Sequence, residues 1–345
     1  MKIAVLGTPT HASVEQFLVS AFQELGHECI GYDAWNPPQE WLSYKYWKFI
    51  LSAPQLRHDV RKIYLKYLND VTLNFLLNYK PDAVITHNDA KLLPSTIQTV
   101  RKKLNIPFAT LVGDDPTIAI YLPEYLPLIP HFTHVFAPES YLVKKLRTFT
   151  TKVAYLPFGT DPGTFYPDKG SNKDDEKLDI GYVSNSYNAA PYGMYRALFL
   201  VHLREMGLTI YGDRGWKHIY YYVPELKNNV SITGYLDSQQ MNDFYNRIKI
   251  CVNIPNPQIV TGIAQRILDA AAAECFQVTI YKKDLVDVFS DSIATFEGID
   301  EMIGKTRYFL DHPEERRQKA KCAREIVLKA FKWQQIAAEA LELMG

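Results

Sequence analysis

Thr261, Gly262, Arg266 and Asp269 stand close together in the run Thr261-Gly262-Ile263-Ala264-Gln265-Arg266-Ile267-Leu268-Asp269-Ala270-Ala271-Ala272-Ala273-Glu274-Cys275-Phe276-Gln277-Val278-Thr279. The run reads as a loop, a short helix and a buried strand. Thr261 is a candidate N-cap, the alanines favour helix, and Gln277 to Tyr281 has the β-branched and aromatic content of a strand. The start of such a helix offers unpaired N–H groups and a positive dipole end above Thr261 and Gly262, which suits phosphate. Arg266 and Asp269 are three apart and project from one side of it. An arginine can neutralise a diphosphate, and a carboxylate can accept from both hydroxyls of a ribose. The same pair at that spacing also makes surface ion pairs, and the residues alone leave both readings standing.

A second cluster lies in the first half. Gly113-Asp114-Asp115-Pro116 follows an apolar strand, and the adjacent carboxylates could orient a hydroxyl or act as a base. They could equally cap the turn before Pro116. His87-Asn88-Asp89 ends another strand, and His11 lies in the loop after the first one, so His11, His87 and Asp114 are the candidate ligand contacts of the first half. His131 and His134 have an H-x-x-H look but no third ligand nearby, and read as structural.

Around these residues the chain alternates strand and helix. Lys2 to Leu6, Ser13 to Leu25 and Glu28 to Tyr32 make a β-α-β unit whose first loop lies at the carboxyl edge of a parallel sheet, where ligands favour binding. The glycines do not form G-x-G-x-x-G, so no dinucleotide cofactor is indicated. Trp41 to Tyr79 is helical in period and basic-aromatic, with Trp41, Tyr44, Lys45, Tyr46, Trp47, Lys48, Arg57, Arg61, Lys62 and Lys66. Two amphipathic helices with inward aromatics and solvated lysines account for it, and a basic aromatic face that rests on a membrane or binds a polymer is the other reading. Strands follow at Pro81–His87, Pro107–Val112 and Thr133–Ala137.

The polar stretch 169–177 reads as a linker between residues 1–168 and 178–328. The second half begins with the strand Leu178–Val183, continues through Leu208–Gly212 and Val230–Gly234 to a helix capped at Asp237 or Ser238, and then the strand Lys249–Ile254. The expected fold is α/β, with two Rossmann-like doubly wound domains facing across a cleft. The tail reads as helices over Asp300–Leu310, Pro313–Leu328 and Trp333–Met344, and residues 329–345 should return to the first domain.

The chain has 345 residues, enough for two cores, and 38 basic against 38 acidic residues give no global attraction to nucleic acid. Cys29, Cys251, Cys275 and Cys322 form no C-x-x-C, which fits reduced thiols in a cytoplasm. The amino terminus offers no apolar export segment, and no apolar run approaches the roughly 20 residues that span a bilayer.

Several phrases resemble the CgeB-like spore-maturation group of glycosyltransferases, which have the GT-B fold and are similar to family-four enzymes. They are Glu24-Leu25-Gly26-His27-Glu28, Gly113-Asp114-Asp115-Pro116, Leu156-Pro157-Phe158-Gly159-Thr160-Asp161-Pro162-Gly163-Thr164-Phe165-Tyr166-Pro167, Gly181-Tyr182-Val183-Ser184-Asn185, Ile210-Tyr211-Gly212, Asn229 to Tyr235, the opening run, and Phe309 to Arg316. The phrase from Leu156 to Pro167 is the most specific of them. The resemblance implies sugar transfer from a nucleotide-activated donor, of UDP type, held mainly by the second domain, to an acceptor (glycan, protein or small molecule) held by the first.

It implies that Gly234 and Tyr235 border the base, Asp269 the ribose and Arg266 the diphosphate, with Ser184, Asn185, Asn253, Thr261 and Gly262 lining the donor site. Arg266, Asp114 and Asp115 are the residues expected to take part in catalysis. Asp114-Asp115 is not a metal-binding D-x-D, so no metal and no cofactor is expected, and relatives of this kind retain anomeric configuration. Three positions depart from the pattern. Asp269 replaces a glutamate, Thr261 stands near an expected glutamate, and Glu274-Cys275 occupies a small turn where glycine usually takes the left-handed cap. These departures leave room for a binding protein without turnover, and an epimerase on the same fold would need its own acid and base.

Overall fold

Ile3, Ala4, Val5 and Leu6 are all shielded from solvent, so both faces of the first strand are covered. This is the pattern of a parallel sheet flanked by helices. The computed structural model describes residues 1–8, 13–34, 57–88, 91–118, 125–168, 178–186 and 191–345. These form two compact units, Met1–Pro157 with Trp333–Gly345, and Phe158–Lys332.

In the first unit the strands are β1 (Lys2–Gly7), β2 (Glu28–Asp33), β3 (Ala83–His87), β4 (Phe108–Leu111), β5 (His134–Ala137) and β6 (Val153–Tyr155). They pair in the order β2-β1-β3-β4-β5-β6, all parallel. Helices α1 (Val14–Glu24), α2 (Arg57–Tyr79), α3 (Pro94–Leu104) and α4 (Ser140–Leu146) connect them. The Ser13 hydroxyl caps α1 by accepting from the Gln16 amide at 3.2 Å. Phe22 on α1 and Phe108, Phe132 and Val135 are fully buried. Of the basic-aromatic stretch, Arg57–Tyr79 is helical, and Trp41 to Lys48 lie outside the described residues.

The second unit contains β7 (Leu178–Ser184), β8 (Leu208–Gly212), β9 (Val230–Ile232), β10 (Ile248–Asn253), β11 (Phe276–Ile280) and β12 (Ala294–Phe296). Their order, β12-β11-β10-β7-β8-β9, is the doubly wound arrangement in which the first strand of the unit lies centrally. The helices are α5 (Tyr192–Leu200), α6 (Trp216–Tyr222), α7 (Ser238–Asn246), α8 (Gln265–Ala272), α9 (Lys283–Phe289), α10 (Ile299–Asp311) and α11 (Pro313–Ala330). Asp237 opens α7 with a full capping box through Gln240. Helix α6, helix α9 and strand β12 are absent from the sequence reading. Each is short, and their apolar spacing is too brief to register as a period.

The last helix, α12 (Trp333–Met344), packs on α1, as expected of the carboxyl-terminal segment. The rings of Phe17 and Trp333 stack at 5.9 Å. One boundary moves. Residues 158–168, expected with the first half, group with the second. The Thr160 amide donates to the Phe331 carbonyl at 2.8 Å, and the Tyr166 and Asp168 amides donate to the side chains of Asn242 and Asn246 at 3.0 and 2.8 Å. The expected linker, 169–177, lies outside the described residues.

Candidate functional site

Each sheet reverses its direction of growth once, and the strand ends at that point leave a crevice suited to a ligand. In the second unit the reversal falls between β7 and β10. Arg266, in the first turn of α8, donates from Nη1 to the Val183 carbonyl at 2.6 Å. A guanidinium carried by the β10 side is thereby fixed over the end of β7. Thr261 does not cap this helix. The N-cap is Ala264, in extended backbone and with no side-chain cap bond. Ile263 and Ala264 are buried and keep the chain extended before the helix begins. Thr261 is instead bound to α9, with its hydroxyl donating to Asp284 at 3.0 Å and its carbonyl accepting from the Asp284 amide at 2.9 Å.

Gly234 takes φ +79°, which glycine adopts at no steric cost, with nothing crowding its α-carbon. Tyr235 beside it is 70% exposed, so the pair expected at the base is open to solvent after β9. Three other donor-side candidates have hydrogen-bond partners within the second unit. The Ser184 hydroxyl donates to the Asn185 carbonyl at 2.8 Å and accepts from Arg196 at 2.5 Å. Asn253 donates to Gln277 across the sheet at 2.7 Å. Asp269, 7% exposed, accepts from the Thr160 hydroxyl at 2.7 Å. Burial pushes its carboxyl up to about 8, although the Thr160 hydrogen bond and the Arg266 charge both pull it down.

The α8 helix ends as the sequence pattern requires, but without glycine. Glu274 takes φ +55°. Its amide donates to Ala271 at 3.0 Å and that of Cys275 to Ala270 at 2.9 Å, the paired bonds of a Schellman cap.

In the first unit the reversal falls between β1 and β3. His87, at the end of β3, meets Glu15 in the first turn of α1, with Nδ1 and Oε1 3.3 Å apart. A Cβ on Gly7, at the end of β1, would lie 2.7 Å from the Glu15 side chain, so glycine there makes room for this contact. Burial raises the Glu15 carboxyl, and the hydrogen bond and charge of His87, with the hydrogen bonds from its own backbone and from Ser13, together outweigh it, so the net shift is downward.

Asn88, in the left-handed region at φ +44°, donates to Asp114 at 3.0 Å and accepts from the amides of Gly113 and Asp114 at 2.8 and 3.3 Å. The two aspartates therefore part company. Asp114 is held by the side chain of Asn88, the residue after His87, and Asp115 is 2% exposed and turned inward. Asp115 accepts from the Thr117 amide and hydroxyl at 2.9 and 2.7 Å and from Lys145 at 2.5 Å. Asp115, which the sequence leaves open between catalysis and turn capping, caps the Thr117 turn and pairs with the partly exposed Lys145. His11 lies outside the described residues. His131 and His134 point to Gln98 and Thr133 respectively.

Sequence reasoning missed Glu15, Arg196 and Trp216. The only cues were a carboxylate two residues after a capping serine, and an arginine three after a glycine on one helix face.

Among the described residues no three His, Cys, Asp or Glu side chains gather as a metal site would require, and no helix is long and apolar enough to cross a membrane.

Residues 196–342 match a family model described as glycosyl transferase-like. No curated protein matches the chain. Among solved structures, sucrose-phosphate synthase from Thermosynechococcus elongatus is similar at a TM-score of 0.74 and 13% identity, covering 99% of this chain and 98% of that one. Anabaena HepE in complex with UDP-glucose gives 0.68 and 11%, covering 99% of each. A UDP-forming trehalose-phosphate synthase from Burkholderia xenovorans gives 0.65 and 11%, covering 99% of this chain and 98% of that one. The fold is thus that of the GT-B glycosyltransferases, with two parallel-sheet Rossmann-like domains.

Proposed function

We propose that this protein is a glycosyltransferase of the CgeB-like group, moving a sugar from a nucleoside-diphosphate sugar, of UDP type, to an acceptor hydroxyl. The observation that carries the reading is Arg266, set on the Val183 carbonyl at the β7/β10 reversal, where a doubly wound sheet presents its ligand crevice. An arginine fixed in advance stabilises the charge that builds on a departing diphosphate, and loss of such a group costs about 10²–10³ in turnover. No metal is needed for that task in this scheme. Gly234 and Tyr235 border the base. The Anabaena HepE structures with UDP and UDP-glucose, and the UDP-forming Burkholderia enzyme, support the choice of nucleotide.

The first unit takes the acceptor, with His87 and Asp114 as its polar contacts. Retention of anomeric configuration is the expected outcome. A donor-binding protein without turnover is the second reading, favoured by one observation: the Asp269 carboxyl assigned to the ribose is bonded to Thr160 instead.

The test is incubation of the purified protein with UDP-, GDP- and TDP-glucose and measurement of nucleoside diphosphate release. Release from UDP-glucose that persists in EDTA and is abolished in Arg266→Ala supports the reading, and proton NMR of the product gives the anomer. Binding without release selects the second reading. Equal binding and turnover in Arg266→Ala places the donor elsewhere.

A further inference from the structure

Arg196 is 2% exposed, and its guanidinium is spread over both strand ends of the second unit's reversal point. Nη1 donates to the Ser184 hydroxyl at 2.5 Å and the Asn185 carbonyl at 3.2 Å, both at the end of β7. Nε donates to the Ile254 carbonyl at 3.1 Å, and Nη2 to the Asn256 side-chain oxygen at 2.6 Å, both just past β10. One planar group therefore holds four acceptors on two loops that have no covalent link near the site. A lysine, with a single ammonium, cannot span them.

The surroundings are built for this reach. Gly193 lies three residues before Arg196 and on the same face of α5. A Cβ at Gly193 would come 2.2 Å from the Ser186 carbonyl oxygen, so glycine lets the helix lie directly on the loop. Trp216 Nε1 donates to the Ser184 carbonyl at 2.8 Å, and the Ser186 amide donates to Asp213 at 3.2 Å. The β7 end is thus held by Arg196 of α5 and Trp216 of α6, while Arg266 holds it through the Val183 carbonyl.

We infer that Arg196 is a positioning residue for the diphosphate of the donor, tying the 184–186 turn to the 254–256 loop so that these two segments and Arg266 are set before the ligand arrives. The inference rests on the donor-site reading above. Its physical ground is that misplacing binding groups by about 1 Å can cost as much as 10²-fold.

The test compares wild type, Arg196→Lys and Asn256→Ala for binding of UDP and of uridine by calorimetry, with donor turnover and melting temperature measured alongside. Arg196→Lys should lose about 10- to 100-fold in UDP affinity and a comparable factor in kcat. Its uridine affinity should stay within about threefold, because the base contacts do not depend on the clamp. A residue needed only for folding would lower both affinities together. Asn256→Ala removes one arm at a half-buried position and should give a smaller loss of the same selectivity, about three- to tenfold. It decides the matter if Arg196→Lys does not fold.

UDP affinity and kcat unchanged within twofold in the folded variants overturn the positioning role while leaving the donor site standing. Equal losses for UDP and uridine overturn it as well. A wild-type chain that binds no uridine nucleotide overturns both readings.

Discussion

The two sheet reversals solve the same topological problem with opposite chemistry. At β7/β10 the side chains that cross are arginines, Arg196 and Arg266, and their partners are main-chain carbonyls and neutral side-chain oxygens. At β1/β3 the crossing pair is a carboxylate and an imidazole, Glu15 and His87, with Asn88 and Asp114 alongside. A donor-rich, cationic edge suits an anion such as a diphosphate. An acceptor-rich edge suits a hydroxyl. The difference teaches that the location of a site on a doubly wound sheet follows from strand order, whereas its ligand class follows from the few side chains that bridge the reversal.

The division of labour can be broken most sharply by exchanging readouts between the two edges. Arg266→Ala should weaken UDP affinity and reduce turnover by about 10²–10³, since it removes a preset cation. Glu15→Gln removes the charge facing His87 but keeps its size. It should lower transfer to an acceptor by about tenfold through a misdirected imidazole, with UDP affinity unchanged within twofold. Calorimetry with UDP beside an acceptor-transfer assay separates the two. If Glu15→Gln weakens UDP binding as much as transfer, the two edges do not divide the ligands as proposed.

The next test sharpens the division within the first unit. Asp115→Ala leaves Lys145 facing an emptied site and should destabilise the protein by on the order of 3 kcal/mol, somewhat less if the partly exposed amine finds water. Asp114→Asn should leave the melting temperature nearly unchanged while lowering acceptor transfer. Reversed effects would restore Asp115 as the functional carboxylate.

A smaller effect distinguishes the buried acid of the second unit from the ionised one of the first. Asp269 in the folded chain has its pKa raised to about 8 from 3.8. The folded state therefore holds a proton that the unfolded chain releases, and stability falls as pH rises through that window, being fully present below about 3.8 and lost above about 8. Asp269→Asn keeps an oxygen for the Thr160 hydroxyl and removes the titration. Its melting temperature should fall less than that of wild type between the two ends of the window. Equal slopes would show that another group carries the dependence.

Much of this was legible in the sequence. Strand and helix alternation pointed to both sheets because most strands are short apolar runs bounded by turns, and Gly234-Tyr235 and Arg266 could be placed at the carboxyl edge because loops after parallel strands lie there. The bridging residues were not legible. Arg196 and Glu15 look like ordinary polar positions on amphipathic helices, and only the tertiary path brings them to strand ends far away in sequence. The internal partners of Ser184, Asn253 and Asp269 were not legible either, because a one-dimensional pattern carries no account of the donors and acceptors that reach these side chains.

Glu274 offers the last and smallest test, because two explanations of a non-glycine cap predict different variants. Its backbone sits in the left-handed region, where a side chain costs about 1 kcal/mol relative to glycine. Glu274 also lines a pocket of ≈ 80 Å³ together with Lys249, Arg316 and Arg317. If backbone strain dominates, Glu274→Gly should raise stability by about 1 kcal/mol, or about 2–4 °C for a unit of this size, and Glu274→Ala should give no gain because it keeps the same strain. If attraction to the three cations dominates, both variants should lose stability, and alanine should lose more. We expect the first outcome, because Glu274 is exposed and an exposed ion pair contributes at most about 1 kcal/mol in water. Thermal melts at low and high salt decide it, since only the ionic contribution is screened.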